Sequence, residues 1–290
     1  MKRPGGWLSV SLSFSLWAAH AAAQAPPPET PAVPPFVLAD RLASPRLVTV
    51  DVGLLSPMIG ASSWRVDAHA SWVGRHGLGV YAAYGMTHVT DTELTFKDLV
   101  PDSLFDAEIG ARTAASNLEL GGLISLDRLN GLPLTFHVGL VVPIGASAAE
   151  GFNFLANLLT SEMRLADWER FTFDMWWIRA GASARGRAGV LLWQVDLAGS
   201  VGIAAEDYMD PNPVAHANLG LGVEVVPHLA LLGELASLVA FLDDETPMYH
   251  SVGVALRYTF AQTSLHGGWS KLFGEGLEGH AFLLGAARTY

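Results

Sequence analysis

The 290-residue chain has no cysteine, which excludes disulfide scaffolds, thiolate metal sites and cysteine nucleophiles. Charge is scarce: 16% of residues are charged, against about 25% in an ordinary soluble protein. Lysine is almost missing, at Lys2, Lys97 and Lys271 only. With 28 acidic and 17 basic residues and a net charge of −11, the balance argues against a nucleic-acid partner. Long apolar runs are missing too. After residue 46 the longest uncharged run, Leu129 to Ala149, contains Pro133, His137 and Pro143 and makes a poor membrane-spanning helix. What is present is apolar and glycine-rich: half the residues are hydrophobic and 30 are glycine. That composition excludes a disordered chain. It suggests a membrane protein without membrane helices.

The first residues read as an export signal. Lys2 and Arg3 precede an uncharged apolar stretch over residues 7–19, and Ala21-Ala22-Ala23 offers a small-residue cleavage site. A signal peptide is therefore expected over 1–23, and its removal takes the net charge from −11 to −13. Residues 24–46 hold seven of the sixteen prolines. Proline fixes φ and removes a donor, so this stretch reads as an extended periplasmic linker.

From 47 to 290 the chain alternates with period 2, the strand pattern. In 189–204, Leu191, Trp193, Val195, Leu197, Val201 and Ile203 share one face, opposite Gln194, Asp196, Ala198, Ser200 and Gly202. In 63–73, Trp64, Val66, Ala68, Ala70 and Trp72 oppose Arg65, Asp67, His69 and Ser71. A soluble sandwich would solvate its second face with lysine and glutamate. Here that face is small and polar, as in a transmembrane barrel with an apolar exterior. The expected fold is all-β, a transmembrane antiparallel up-and-down barrel of about twelve strands. The strands are placed near 47–55, 63–74, 78–88, 115–127, 132–142, 171–184, 189–204, 214–226, 229–241, 249–260, 262–273 and 276–290. Trp176, Trp177 and Arg179 break parity in 171–184, so a bulge or a misplaced edge is expected there.

Connections sort by length, as they do in barrels with short periplasmic turns and long outer loops. The short set is 75–77, 127–131, 185–188, 227–228 and 261–262; the long set is 56–62, 89–114, 143–170, 205–213 and 242–248, and only the last outer connection, near Gly274-Glu275, is short. Charge sorts with it. The long loops from 89 onward carry sixteen acids and four bases, whereas the short turns carry Arg75, Arg128, Arg185 and Arg187. Trp64 and Trp72 are eight residues apart on one face, roughly 20 Å of membrane depth in a tilted strand. With Trp193, Tyr258, Phe260 and Phe282 they are expected in the aromatic girdles.

Tyr290 ends the chain, with Ala286, Leu284 and Phe282 at alternate positions before it. This resembles the terminal strand of bacterial outer-membrane β-barrel proteins, which ends in an aromatic read by the barrel-assembly machinery. Arg288 departs from the usual apolar choice. The resemblance covers 47–290 as an architecture. It implies the outer membrane of a Gram-negative bacterium, with lipid and lipopolysaccharide around it. Among twelve-stranded members the chain is similar to small channel and uptake proteins such as the phenol-degradation (MetA-type) barrels.

By parity the lumen is lined by Asp51, Arg65, Asp67, His69, Glu119, His137, Asp174, Asp196, His216, Glu224, Glu234 and Arg257. Seven inward acids against two inward bases favour cations. The leading expectation is a narrow passive channel or uptake pore for small solutes. A second is a non-conducting surface-interaction barrel whose acidic loops, Asp243-Asp244-Glu245 included, bind a partner or divalent cations. A third is a lipid hydrolase. His69-Ala70-Ser71 resembles the His-x-Ser pair of outer-membrane phospholipases and lipid A deacylases, although Trp72 and Val73 follow where those families place asparagine. No phosphate-binding motif is present and no cofactor is expected. In 143–170, Phe152, Leu155, Leu159, Met163 and Ala166 recur at helical spacing, which reads as a constriction folded into the lumen, an amphipathic helix at the outer interface or, by preference, a cap over the mouth.

Overall fold

The computed structural model describes residues 46–56, 63–90, 111–129, 132–145, 164–172, 174–204, 213–242, 246–274 and 277–290. The signal peptide, the proline-rich linker up to residue 45, the acidic run 243–245 and most of the helical pattern in 143–170 lie outside them.

Thirteen strand segments follow one another: β1 Leu47–Ser56, β2 Ser63–Val73, β3 Leu78–Val89, β4 Arg112–Ala115, β5 Leu118–Leu129, β6 Leu132–Val142, β7 Met175–Ala188, β8 Leu191–Ala204, β9 Pro213–Val226, β10 Leu229–Ala240, β11 Met248–Phe260, β12 Thr263–Gly274 and β13 Leu277–Thr289. Apart from β4 and β5, each is antiparallel to its sequence neighbour. β1 pairs with β13 from Leu47↔Thr289 to Ser56↔His280, so the sheet closes and leaves no edge. β4 and β5 both pair with β3, one residue out of register with each other. They form one strand position interrupted by a bulge at Ser116 and Asn117, which gives twelve positions around the barrel. The Ser116 hydroxyl accepts the Gly85 N–H at 2.8 Å and so fills the gap that the bulge leaves in the ladder.

Alternation divides the wall into two faces. Val254, Leu221 and Leu284 are 54, 59 and 62% exposed on the outer face, whereas Thr49, Asp67, Ser125, Gln194 and Ser251 are buried on the inner one. Among the described side chains, every strand carboxylate points inward. An exterior of valine and leucine beside a polar interior reverses the soluble arrangement and suits a wall surrounded by hydrocarbon.

The short connections lie at the end where Leu47 and Thr289 meet. They turn on left-handed residues: Gly77 (φ 78°), Gly189 (φ 61°), His228 (φ 72°) and Ala261 (φ 49°). Gly77 is needed twice over, because a β-carbon there would collide with the Ser125 carbonyl.

Two expectations are corrected. The strand placed at 171–184 runs Met175–Ala188 and pairs without a register shift on either side, so of the bulge or misplaced edge expected there it is the edge that was misplaced. Met175, Trp177 and Arg179 point inward and Trp176 and Ile178 outward, an ordinary alternation once the start moves to Met175. The following turn is Gly189-Val190, which puts Arg185 and Arg187 in the strand.

An arginine at the midpoint of a lipid-facing strand should therefore be expensive, and one near the end should not. Val254→Arg is expected to destabilise folding into lipid vesicles by about 2–4 kcal/mol and Val225→Arg by about 0–1 kcal/mol. Equal effects in urea titrations would contradict the membrane-facing assignment.

Candidate functional site: a segment pinned across the lumen

A short helical stretch leaves the mouth and enters the barrel. A 3-10 turn, Leu165–Asp167, runs into one α-helical turn, Trp168–Phe171. Arg164, Leu165, Asp167, Glu169, Arg170 and Phe171 are all buried. The stretch is two-sided. Leu165 packs among Val141, Met175, Trp177, Val214, Leu238 and Leu272, an apolar patch in the upper lumen. Trp168 stacks on Tyr249, ring centroids 6.1 Å apart. The charged side faces the opposite wall. Of the readings of 143–170, residues 164–172 follow the one that folds into the lumen, while Phe152, Leu155, Leu159 and Met163 lie outside the described residues.

Ion pairs pin it there. Asp167 Oδ2 accepts from Arg65 at 2.7 Å and Arg164 at 2.6 Å, and forms an ion pair with Arg170 at 2.8 Å. Arg170 reaches Asp67 at 3.1 Å and Glu119 at 3.8 Å, and Arg179 reaches Glu119 at 3.5 Å. Arg65 also bonds Asp67, and its guanidinium lies 3.7 Å from the Phe171 ring centroid. On the far wall Glu169 meets His216 Nε2 at 2.7 Å. Four arginines (65, 164, 170, 179) thus meet four carboxylates (67, 119, 167, 169). Desolvating so many charges is unfavourable unless each is compensated, and here opposite charges are matched in number. Arginine suits the task because its planar fork serves two carboxylates at once.

The bulge holds both ends of the insertion. Asn117 N–H donates to the Arg170 carbonyl at 2.8 Å, and its side chain donates to the Thr172 carbonyl at 2.6 Å. The same amide oxygen accepts the Gly145 N–H at 3.2 Å. The Trp177 indole donates to the Thr172 hydroxyl at 2.7 Å and secures the exit.

Towards the short-turn end the wall is lined by rings lying flat. His69 stacks on Tyr81 at 6.2 Å, and Tyr81 meets His137 edge-on at 6.3 Å. The Tyr81 hydroxyl donates to Glu119 at 2.9 Å, which couples this wall to the ion network. Tyr81 lies over Gly121 and Gly139, where any β-carbon would collide with its ring.

The expected lumen residues are placed as follows. Asp51, Arg65, Asp67, His69, Glu119, His137, Asp196, His216, Glu234 and Arg257 are buried on inner faces. Asp51 bonds His266 at 2.6 Å, and Gln194 donates to Asp196 at 2.8–2.9 Å. Glu224 sits at the short-turn rim, paired with Arg187 and accepting the His228 N–H at 2.9 Å, where it holds the Pro227-His228 turn. Asp174 departs from expectation: it precedes β7 in a left-handed conformation (φ 51°) and is half-buried, off the strand's inner face. His69 and Ser71 are buried on the lumen side of β2, away from the acyl chains that a lipid hydrolase must reach. Outside, Trp72, Trp193, Tyr258 and Phe260 lie near the short-turn end and Trp64 near the long-loop end, while Phe282 is mid-strand opposite Trp269. The Tyr290 hydroxyl donates to the Ser71 carbonyl at 3.0 Å.

Arg164, Asp167, Glu169, Arg170 and Arg179 escaped the parity reading. Four belong to what reads as an outer loop, and the fifth to the strand whose start was misplaced. A signal was present nonetheless. Seven inward acids with two inward bases leave buried carboxylates without partners, so further cations had to enter the lumen.

The structure matches the COG4313 outer-membrane channel from Pseudomonas putida F1 over 92% of this chain and 100% of that one, with a TM-score of 0.57 and 13% sequence identity. It matches the NanC porin over 84% of this chain and 100% of that one, with a TM-score of 0.50 and 8% identity. The fold is that of bacterial outer-membrane β-barrel proteins. No protein-family model matches the sequence, and no curated protein does.

Removing the Tyr81 hydroxyl takes one donor from buried Glu119. Tyr81→Phe is expected to lower stability by about 1–3 kcal/mol in urea titrations, and Gly139→Val by more, because it displaces the whole ring. A Gly139→Val variant as stable as the wild type would show that the close approach is not needed.

Proposed function

We propose that the protein is a passive channel for small solutes in the bacterial outer membrane, with residues 164–172 as its constriction. The observation that carries this reading is the segment held across the lumen by Arg65, Asp67 and Glu119 on one side and His216 on the other. A barrel needing only a filled interior could pack it with apolar side chains. This one brings a charged element to the point where a permeating solute must pass. The channel and porin with the same fold support the reading.

The ion preference is proposed to be cationic, with its source at the mouth. The network is balanced, and Arg185, Arg187 and Arg257 offset part of the remaining wall charge. Without Arg164, Asp167, Glu169 and Arg170, which belong to the network, the long loops keep fourteen acids against Lys97 and Arg112, enough to concentrate cations at the entrance.

Planar-bilayer recording tests this. Arg170→Ala leaves Asp67 and Asp167 short of a partner, a loss of about 3–5 kcal/mol for a buried pair, and should release the segment. The expected result is a wild-type channel of small conductance and a variant of larger single-channel conductance. Silence from both would instead favour the non-conducting surface-interaction barrel.

A further inference from the structure

Beside Asp196 the inner wall carries buried oxygens that the wall itself does not hydrogen-bond. Ser183, Asp196 and Asn218 stand directly opposite one another on β7, β8 and β9. All three face the lumen, with 2, 2 and 4% of their surface exposed. Directly opposed β-carbons lie about 4.5–5.5 Å apart, so the three side chains share one small space. The Gln194 amide, one step nearer the short turns, donates to both Asp196 oxygens at 2.8–2.9 Å and fixes the carboxylate.

Among the described residues, the Ser183 hydroxyl and the Asn218 side-chain oxygen have no hydrogen-bond partner. Neither does His216 Nδ1, two residues before Asn218 on the same face of β9, whose Nε2 is bonded to Glu169 of the inserted segment. Buried polar atoms are almost always paired, and an exception is unfavourable unless something else supplies the partner. The adjoining inner positions cannot supply it: Ala198, Ala236 and Gly220 carry no side-chain donor. With the His216 proton on Nε2, where Glu169 accepts it, Nδ1 is an acceptor as well. The next row places Arg185 opposite Gln194, and Glu234 beyond Gly220. Over these two rows from β7 to β10, the charged side chains are therefore two carboxylates and one guanidinium.

A ligand for this place must bring donors and positive charge. A primary ammonium brings three N–H donors on one compact cation, enough for Ser183, Asn218 and the carboxylate together. A hard cation such as calcium takes about six to eight oxygens, more than this row presents. We propose that the lumen holds a binding site for the primary ammonium group of a small organic cation, formed by Ser183, Asp196 and Asn218. The site lies on the short-turn side of His216 and Glu169, just past the constriction for a solute entering from the long-loop end. Its occupancy does not depend on whether the barrel conducts.

Saturation-transfer NMR of the full-length protein in nanodiscs tests this with propylammonium, and with tetramethylammonium as a cation of equal charge that has no N–H. The wild type should transfer saturation to propylammonium and not to tetramethylammonium. Asp196→Asn, which keeps the side-chain size, should weaken propylammonium binding about tenfold, the effect of losing a charge-assisted contact. Ser183→Ala should weaken it severalfold and leave the urea midpoint unchanged or higher, because the hydroxyl it removes is unpaired in the protein. A barrel that binds propylammonium in this way but passes no current would defeat the channel reading and support this one. Equal transfer to both cations, no transfer to propylammonium, binding unchanged in Asp196→Asn, or a Ser183→Ala variant that loses stability but not binding would overturn the proposal.

Discussion

Hydrocarbon offers no hydrogen bonds, so a chain crossing it as strands must satisfy every backbone amide within its own sheet. The pairing of β1 with β13 meets that condition, and much else follows from it. Closure forces each strand to show one face outward and one inward. The outward face becomes apolar, and the polar residues collect inside. There they are no longer surface groups but neighbours in a confined space, where each charge needs an opposite one nearby.

The inserted segment answers this second demand. Asp67 and Glu119 come from the wall, while Arg164 and Arg170 come from the mouth, and neither set would be comfortable alone. Leu165 and Trp168 add apolar contact on the opposite side, so the segment is held by two unlike surfaces. Its position depends on charge matching on one wall and on shape on the other.

The barrel was legible in the sequence because alternation is a local property. β2, β8, β9 and β11 each show it over ten residues or more, and a misjudged edge leaves the faces unchanged. Where two bulky residues adjoin, as at Trp176-Trp177, hydropathy does not tell inside from outside, and only the partner strands fix the answer. The site was less legible for a different reason. Strand parity places the wall residues, but it says nothing of a loop that folds back inside. The charges of Arg164, Asp167, Glu169 and Arg170 read as solvated until the wall they meet is known. The row of Ser183, Asp196 and Asn218 is harder still, since its members are far apart in sequence and become neighbours only through the register of β7, β8 and β9.

Asn117 has a consequence for how such a protein can vary. It grips the loop at Gly145 on the way in and at Arg170 and Thr172 on the way out. The two ends of a long excursion are fastened to one residue of the wall. Adding or deleting residues between 146 and 163 changes the closure entropy only slowly, and leaves the fastened ends in place. A change of length between 146 and 163 thus leaves the pinned segment 164–172 tied to the same residue of the wall.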